Sequence, residues 1–226
     1  MSVAVGAAVV ALVALALALA LGGTGGDDHP SAQSTATTAP PPGDHLSVVL
    51  GDVSADGVGP PATVSSEQSQ QVLALVARYV KEATVAPLRS GMPVTGDLST
   101  VFDPGALATI TGADRAIALD EGLPQVTGDL EVTANPVAIV GLGDQGHVVL
   151  LTTSFVVDAH GPTRVKGVPL HIVRRADFVL APDAAGVWKV TSYDMVVTRG
   201  GAGLDPTTTT SPPVTTKAAP TTKGKK

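Results

Sequence analysis

Residues 3–21 consist only of Ala, Val, Leu and Gly. As a helix this run would span roughly 28 Å at about 1.5 Å per residue, the thickness of a bilayer's hydrocarbon core. It has no polar face to offer water, so everything after Gly22 is delivered to a membrane or across one. A cleaved signal peptide carries a basic n-region and an apolar stretch of about 7–15 residues. Here Met1 and Ser2 bring no side-chain charge and the run is longer, which favours an uncleaved transmembrane helix. The small-x-small sites Ala14-Leu15-Ala16, Ala16-Leu17-Ala18 and Ala18-Leu19-Ala20 keep a cleaved, secreted form as the alternative. No Lys or Arg flanks the run within the roughly 20 residues that set orientation, and the first charges after it are Asp27 and Asp28. The expected topology is single-pass in the cell membrane, with the bulk of the chain extracytoplasmic.

The chain has no cysteine, which excludes structural disulfides and an acylated lipoprotein. A domain of about 150 residues buries enough apolar surface to fold without such staples. Net charge is −6. Residues 48–200 hold 16 acids and 10 bases, residues 22–47 three acids and no base, and residues 201–226 one acid and four lysines. An acidic domain without a basic stripe argues against nucleic acid as a partner.

Composition divides the chain further. Residues 22–47 are rich in Gly, Thr, Ser and Pro and low in hydrophobics, the makeup of a disordered linker. Residues 201–226 form a Thr/Pro/Lys tail that suits a stalk or a solubilising end. Residues 48–200 form one domain, with its core in 65–200. Its first part is helical. Val72, Leu75, Val76, Tyr79, Val80 and Ala83 follow helical spacing from about Ser66, with Ser65 or Ser66 as cap and Pro87 just past the end. A second helical region has two starts, Asp103-Pro104 and the capping box Thr111 to Asp114, and stops at Gly122.

From Pro136 the pattern changes to strands: 137–142, 147–158, 165–181 and 187–199 are rich in β-branched and apolar residues. The intervening turns are short, which predicts an antiparallel meander. On the third strand Val168, Leu170, Ile172, Ala176, Phe178 and Leu180 alternate with His171, Val173, Arg175, Asp177 and Val179. Strands this long exceed the usual length, so the sheet is expected to bend. The fold class is α+β, with helices packed on a curved sheet and one transmembrane or signal helix ahead of them.

The element order, the stretch Phe102-Asp-Pro-Gly-Ala106 and the closing strand Gly186-Val-Trp-Lys-Val-Thr-Ser-Tyr193 resemble the nuclear-transport-factor-2-like, cystatin-type cone superfamily over roughly residues 65–200. That fold hosts enzymes, ligand binders and interaction modules, so the resemblance implies architecture and not activity. The apolar N-terminus and Thr/Pro tail resemble envelope proteins of high-GC Gram-positive bacteria.

Catalytic chemistry has little support. Gly141-Leu-Gly143-Asp-Gln-Gly146 spells a dinucleotide fingerprint, with Asp158 near the expected acidic position. Such a fingerprint needs a helix after its glycines, and His147 opens a strand-forming run, so these residues read as a hairpin turn. The histidines at 29, 45, 147, 160 and 171 show no metal-ligand spacing; His160 falls in an expected turn, and no metal or cofactor is expected. No Cys–His pair and no G-x-S-x-G motif exists, which removes nucleophilic catalysis. Six aromatic residues offer no stacking surface.

Two residues remain as ligand-binding candidates. Tyr79 lies on the apolar stripe of the first helix, where its hydroxyl needs a partner. Arg174 shares a strand face with Ile172 and Phe178, an odd place for a guanidinium unless it meets an acid. They either line a small polar pocket, or Tyr79 is core and a bulge turns Arg174 to solvent. The expected function is a non-enzymatic interaction or scaffolding domain of the cell envelope. Its expected partners are the membrane through the N-terminal helix, other envelope proteins or wall components, and other copies of itself. The alternative is a small-molecule or lipid-binding cone, extending to an acid–base enzyme of the ketosteroid-isomerase-like type, built on Tyr79 and Arg174.

Overall fold

In the computed structural model, residues 43–90, 97–164, 169–201 and 204–210 are described. Among them no helix is long and apolar enough to cross a membrane; residues 3–21 lie outside the described residues, as do 22–42 and 211–226. Six strands pair in chain order into one sheet: β1 (Asp44–Val58), β2 (Leu130–Asp144), β3 (His147–Gly161), β4 (Leu170–Pro182), β5 (Trp188–Gly201) and β6 (Leu204–Thr210). The order is linear, so the sheet is open. β2 to β6 form the expected meander, each antiparallel to the next.

Three features correct the expected plan. β1 precedes the helices and runs parallel to β2, so the sheet is mixed and the order is not helices first. β1 also begins at Asp44, four residues inside the stretch expected as linker (44–47). Its hydrophobics are diluted by Gly51, Gly57, Asp52 and Asp56, which hid the alternation. Last, Leu204–Thr210 of the expected tail forms β6. Threonine is β-branched and strand-forming, and Pro206 is tolerated because β6 is an edge.

Burial alternates along the strands, most regularly on β4, where Leu170, Ile172, Arg174, Ala176, Phe178 and Leu180 face inward. Register shifts interrupt β1, β2 and β5; such bulges bend a strand and add twist, and the sheet is curved. His160, expected in a turn, lies within β3, which runs to Gly161. The G-x-G-x-x-G segment is the β2–β3 hairpin, with Gln145 at φ 49° and Gly146 at φ 83°, the two left-handed positions of a type I′ turn. Its other glycines serve packing: a Cβ on Gly141 would stand 2.6 Å from Val64 Cγ2, and one on Gly143 would strike Ala62. Residues 60–64 therefore cross β2 at close range on the way to the first helix.

α1 (Ser66–Val80) starts with a full capping box. The Ser65 hydroxyl accepts from Gln68 N and the Gln68 side chain accepts from Ser65 N. Pro87 does not end the helical path: a π-turn (Lys81–Val85) leads into α2 (Ala86–Ser90). Proline donates no hydrogen bond to the preceding turn, and the Ala83 carbonyl there accepts from Asp120 N at 2.8 Å instead. α3 (Pro104–Thr109) is capped by Asp103. At α4 (Gly112–Ala118), Thr111 makes no side-chain cap bond, and the helix ends at Ala118, three residues short of the expected Glu121.

The helices cover the inner face of the sheet. There Tyr79, Phe102, Phe155 and Phe178 stack edge-to-face, with Phe178 lying 5.1 Å from Tyr79, 5.2 Å from Phe155 and 5.6 Å from Phe102 between centroids. All four rings are buried. Trp188 and Tyr193 are core residues too, with the Tyr193 hydroxyl 3.0 Å from Thr109 Oγ1.

Candidate functional site

Tyr79 and Arg174 do meet, and both are fully buried. The Arg174 guanidinium carbon lies 6.0 Å from the centre of the Tyr79 ring, at the outer reach of a cation–π contact. No bulge turns Arg174 to solvent. β4 keeps strict register through it, opposite Val157 on β3 and Val197 on β5.

The acid that Arg174 needs is Asp120. Arg174 Nη2 donates to Asp120 Oδ1 at 2.7 Å, and neither side chain is exposed. Arg174 Nη1 donates to Thr84 Oγ1 at 2.9 Å, and the Thr84 hydroxyl in turn donates to Asp120 Oδ2 at 2.8 Å. Arg199, from β5, donates to Asp120 Oδ1 through Nε at 3.1 Å and Nη2 at 2.8 Å. The carboxylate thus sits between two guanidiniums, and Thr84 closes the ring of hydrogen bonds.

The remaining donors point at one feature, the C-terminal end of α4. Arg199 donates to the carbonyls of Ala116 and Leu119, Arg174 Nε to Ile117, and Tyr79 to Ala118. The last carbonyls of a helix have no partner within it and carry its partial negative charge. Four consecutive carbonyls, 116 to 119, are each met by a donor from α1 or the sheet. The Tyr79 hydroxyl also lies 3.2 Å from Met195 Sδ. No buried side-chain nitrogen or oxygen among the described residues lacks a partner. Chemically the cluster is a clamp, which neutralises the helix end and pins the 116–120 segment to the sheet.

The charge states follow from this. Burial works against the charge on Arg174, but Asp120 beside it and the Tyr79 ring outweigh that, and the guanidinium is held above its ordinary pKa. Burial pushes the Tyr79 hydroxyl up to about 12, offset in part by Arg174. A neutral tyrosine with this pKa is not a general base. In the unfolded chain Tyr79 loses its proton near pH 10, while the native state keeps it to about 12. The native state binds more protons in that window, so the stabilisation is whole below pH 10 and lost as pH rises toward 12. At about 1.4 kcal/mol per unit, alkaline titration should remove on the order of 2–3 kcal/mol. Urea unfolding at pH 9 and pH 11 reads about the first half of this, on the order of 1–1.5 kcal/mol, and Tyr79→Phe should flatten the loss.

Surface clefts occur elsewhere. One of about 270 Å³ lies between α1 and the Gly186–Trp188 corner, lined by Gln71, Arg78, Thr100 and Val187. Another, on the outer sheet face, includes Thr152, Ser154, Asp177 and Asp194. Neither these nor the two along β1 include Tyr79, Arg174 or Asp120 in their linings. Sequence reasoning found Tyr79 and Arg174 and missed Thr84, Asp120 and Arg199. The one available signal was that an inward arginine requires an acid; nothing along the chain singled out Asp120, which read as part of a helix.

No protein-family model matches the chain, and neither a curated protein nor a solved structure does.

Proposed function

We propose that this chain is a non-enzymatic interaction or scaffolding protein of the cell envelope. Residues 3–21 hold it at the membrane, and an extracytoplasmic domain of the nuclear-transport-factor-2-like type binds other envelope proteins or wall components. The observation that carries this reading is the state of Tyr79 and Arg174. Every polar atom that a ligand or substrate would use there is already bonded to the protein, and the Tyr79 ring is packed against Phe102, Phe155 and Phe178. The surface supports it as well. Among the described residues β1 is the last strand on its side of the sheet, and its Leu46, Val49, Leu50 and Val53 are between 37% and 44% exposed. An unpaired edge carrying exposed hydrophobics is a template for association.

The test is a photo-crosslinking residue placed at Val53 of the full chain in intact cells, followed by membrane fractionation. The expected result is a discrete adduct in the membrane fraction. Adducts absent at Val53, in a protein whose Tyr79→Phe variant melts normally yet loses its cellular role, would overturn the reading in favour of a ligand pocket. A native N-terminus near Leu21 or Gly22 would overturn the membrane attachment.

A further inference from the structure

The histidines have no metal spacing along the chain, yet strand register lines three of them up. His45 on β1 stands beside Glu131 on β2, Glu131 beside His160 on β3, and His160 beside His171 on β4. The next position in the row, on β5, is Gly200. Residues paired across a sheet point to the same face, with Cβ atoms about 4.5–5.5 Å apart. This row lies on the outer, solvent-facing side, and Asp158 is on the same face two residues before His160. The side chains of Asp158, His160 and His171 are 47%, 51% and 54% exposed.

The spacing of the polar atoms is the informative part. Asp158 Oδ1 lies 3.0 Å from His171 Nε2 and 3.8 Å from His160 Nδ1. Tetrahedral coordination with bonds of about 2.0–2.2 Å needs donor atoms about 3.3–3.6 Å apart. The carboxylate oxygen, hydrogen-bonded to His171, therefore lies within about half an ångström of coordination spacing from a nitrogen of each imidazole. The other nitrogen of His160, Nε2, is 3.1 Å from Glu131 Oε2. A carboxylate on the far nitrogen of a ligating histidine fixes its tautomer and ring orientation. Among the described residues no three such groups already converge on one point, and the two rings are 6.4 Å apart between centroids. All three side chains are about half exposed, which leaves their rotamers room to change. Gly200 leaves open space beside His171, since a Cβ there would meet nothing within 4 Å, so a fourth position faces water.

We propose that His160, His171 and Asp158 form a surface site for a divalent transition-metal ion of the zinc class, with Glu131 as the positioning residue for His160. Two imidazoles and one carboxylate suit such an ion better than calcium or magnesium, which take oxygen ligands. The site is independent of the buried clamp and of the proposed interaction role.

The experiment is titration of the full chain, in detergent micelles and stripped of metal, with Zn²⁺ alone by calorimetry. Co²⁺ then reports ligand geometry by its visible spectrum. One equivalent is expected to bind at micromolar concentration. His160→Ala and His171→Ala should each weaken binding at least about 100-fold, and Glu131→Gln about 10–100-fold, as loss of an outer-shell partner does. His147→Ala, at the β2–β3 hairpin, should change nothing. The substituted side chains are exposed, so metal-free melting of these variants should match the parent and separates lost binding from lost folding. Binding that persists in the His160→Ala/His171→Ala double variant would overturn the proposal, as would the absence of any binding below millimolar Zn²⁺.

Discussion

Asp120→Ala is expected to destabilise the domain by about 3–5 kcal/mol, the range for removing one partner of a buried ion pair. The substitution leaves Arg174 charged, with no exposed surface and no counterion. Arg199 fares better, because its side chain is 15% exposed and can turn toward water. Thr84 loses the acceptor for its hydroxyl proton as well. The next residue supplies the control. Glu121 pairs with Arg115 in a two-pronged contact at 2.9 and 2.5 Å; the glutamate side chain is 16% exposed, but the arginine is 37% exposed and can turn to water when its partner is lost. Glu121→Ala should cost about 1 kcal/mol, near the upper end for solvent-accessible ion pairs and well below the buried case. Urea unfolding of the two adjacent variants makes the comparison directly.

Tyr79 separates ring from hydroxyl. Tyr79→Ala removes a ring with no exposed surface, packed edge-to-face against Phe102, Phe155 and Phe178. The expected cost is about 3–5 kcal/mol, that of other aromatic truncations in cores. Tyr79→Phe keeps the packing and loses the hydroxyl's hydrogen bond to the Ala118 carbonyl, with its weaker contact to Met195 Sδ, at an expected cost of about 0.5–1.5 kcal/mol. Thermal melting distinguishes the two patterns. Equal losses from both substitutions would mean that the hydroxyl, and not the ring, carries Tyr79's contribution.

The helical stripe of α1 and the inward face of β4 were legible because local periodicity records which side of an element meets the core. The β2–β3 hairpin was legible for a similar reason: His147 opens a strand, and Gln145-Gly146 can adopt the left-handed turn. What escaped depends on pairings distant along the chain. β1 takes its place by lying parallel to β2, 86 residues away at the Asp44–Leu130 pair, and parallel pairing leaves no turn signal. The end of α4 falls at Ala118 and not Glu121 because Asp120 is drawn into the core by Arg174 and Arg199, partners more than 50 residues downstream. The same non-locality hid the histidine row. Metal spacing along a helix is visible as i, i+4, whereas His160 and His171 are neighbours only through the β3–β4 register.

Tyr79 and Arg174 are held together, on this account, by the need to satisfy the end of α4 and the Asp120 carboxylate. A double-mutant cycle on Arg174→Met and Asp120→Ala, read by urea unfolding, tests this most directly. The expected result is strong coupling: the double variant should be more stable than the sum of the single losses by about 0.5–3 kcal/mol, because removing both charges leaves neither one buried alone. Single variants close to wild type in stability, with losses that simply add, would contradict the clamp.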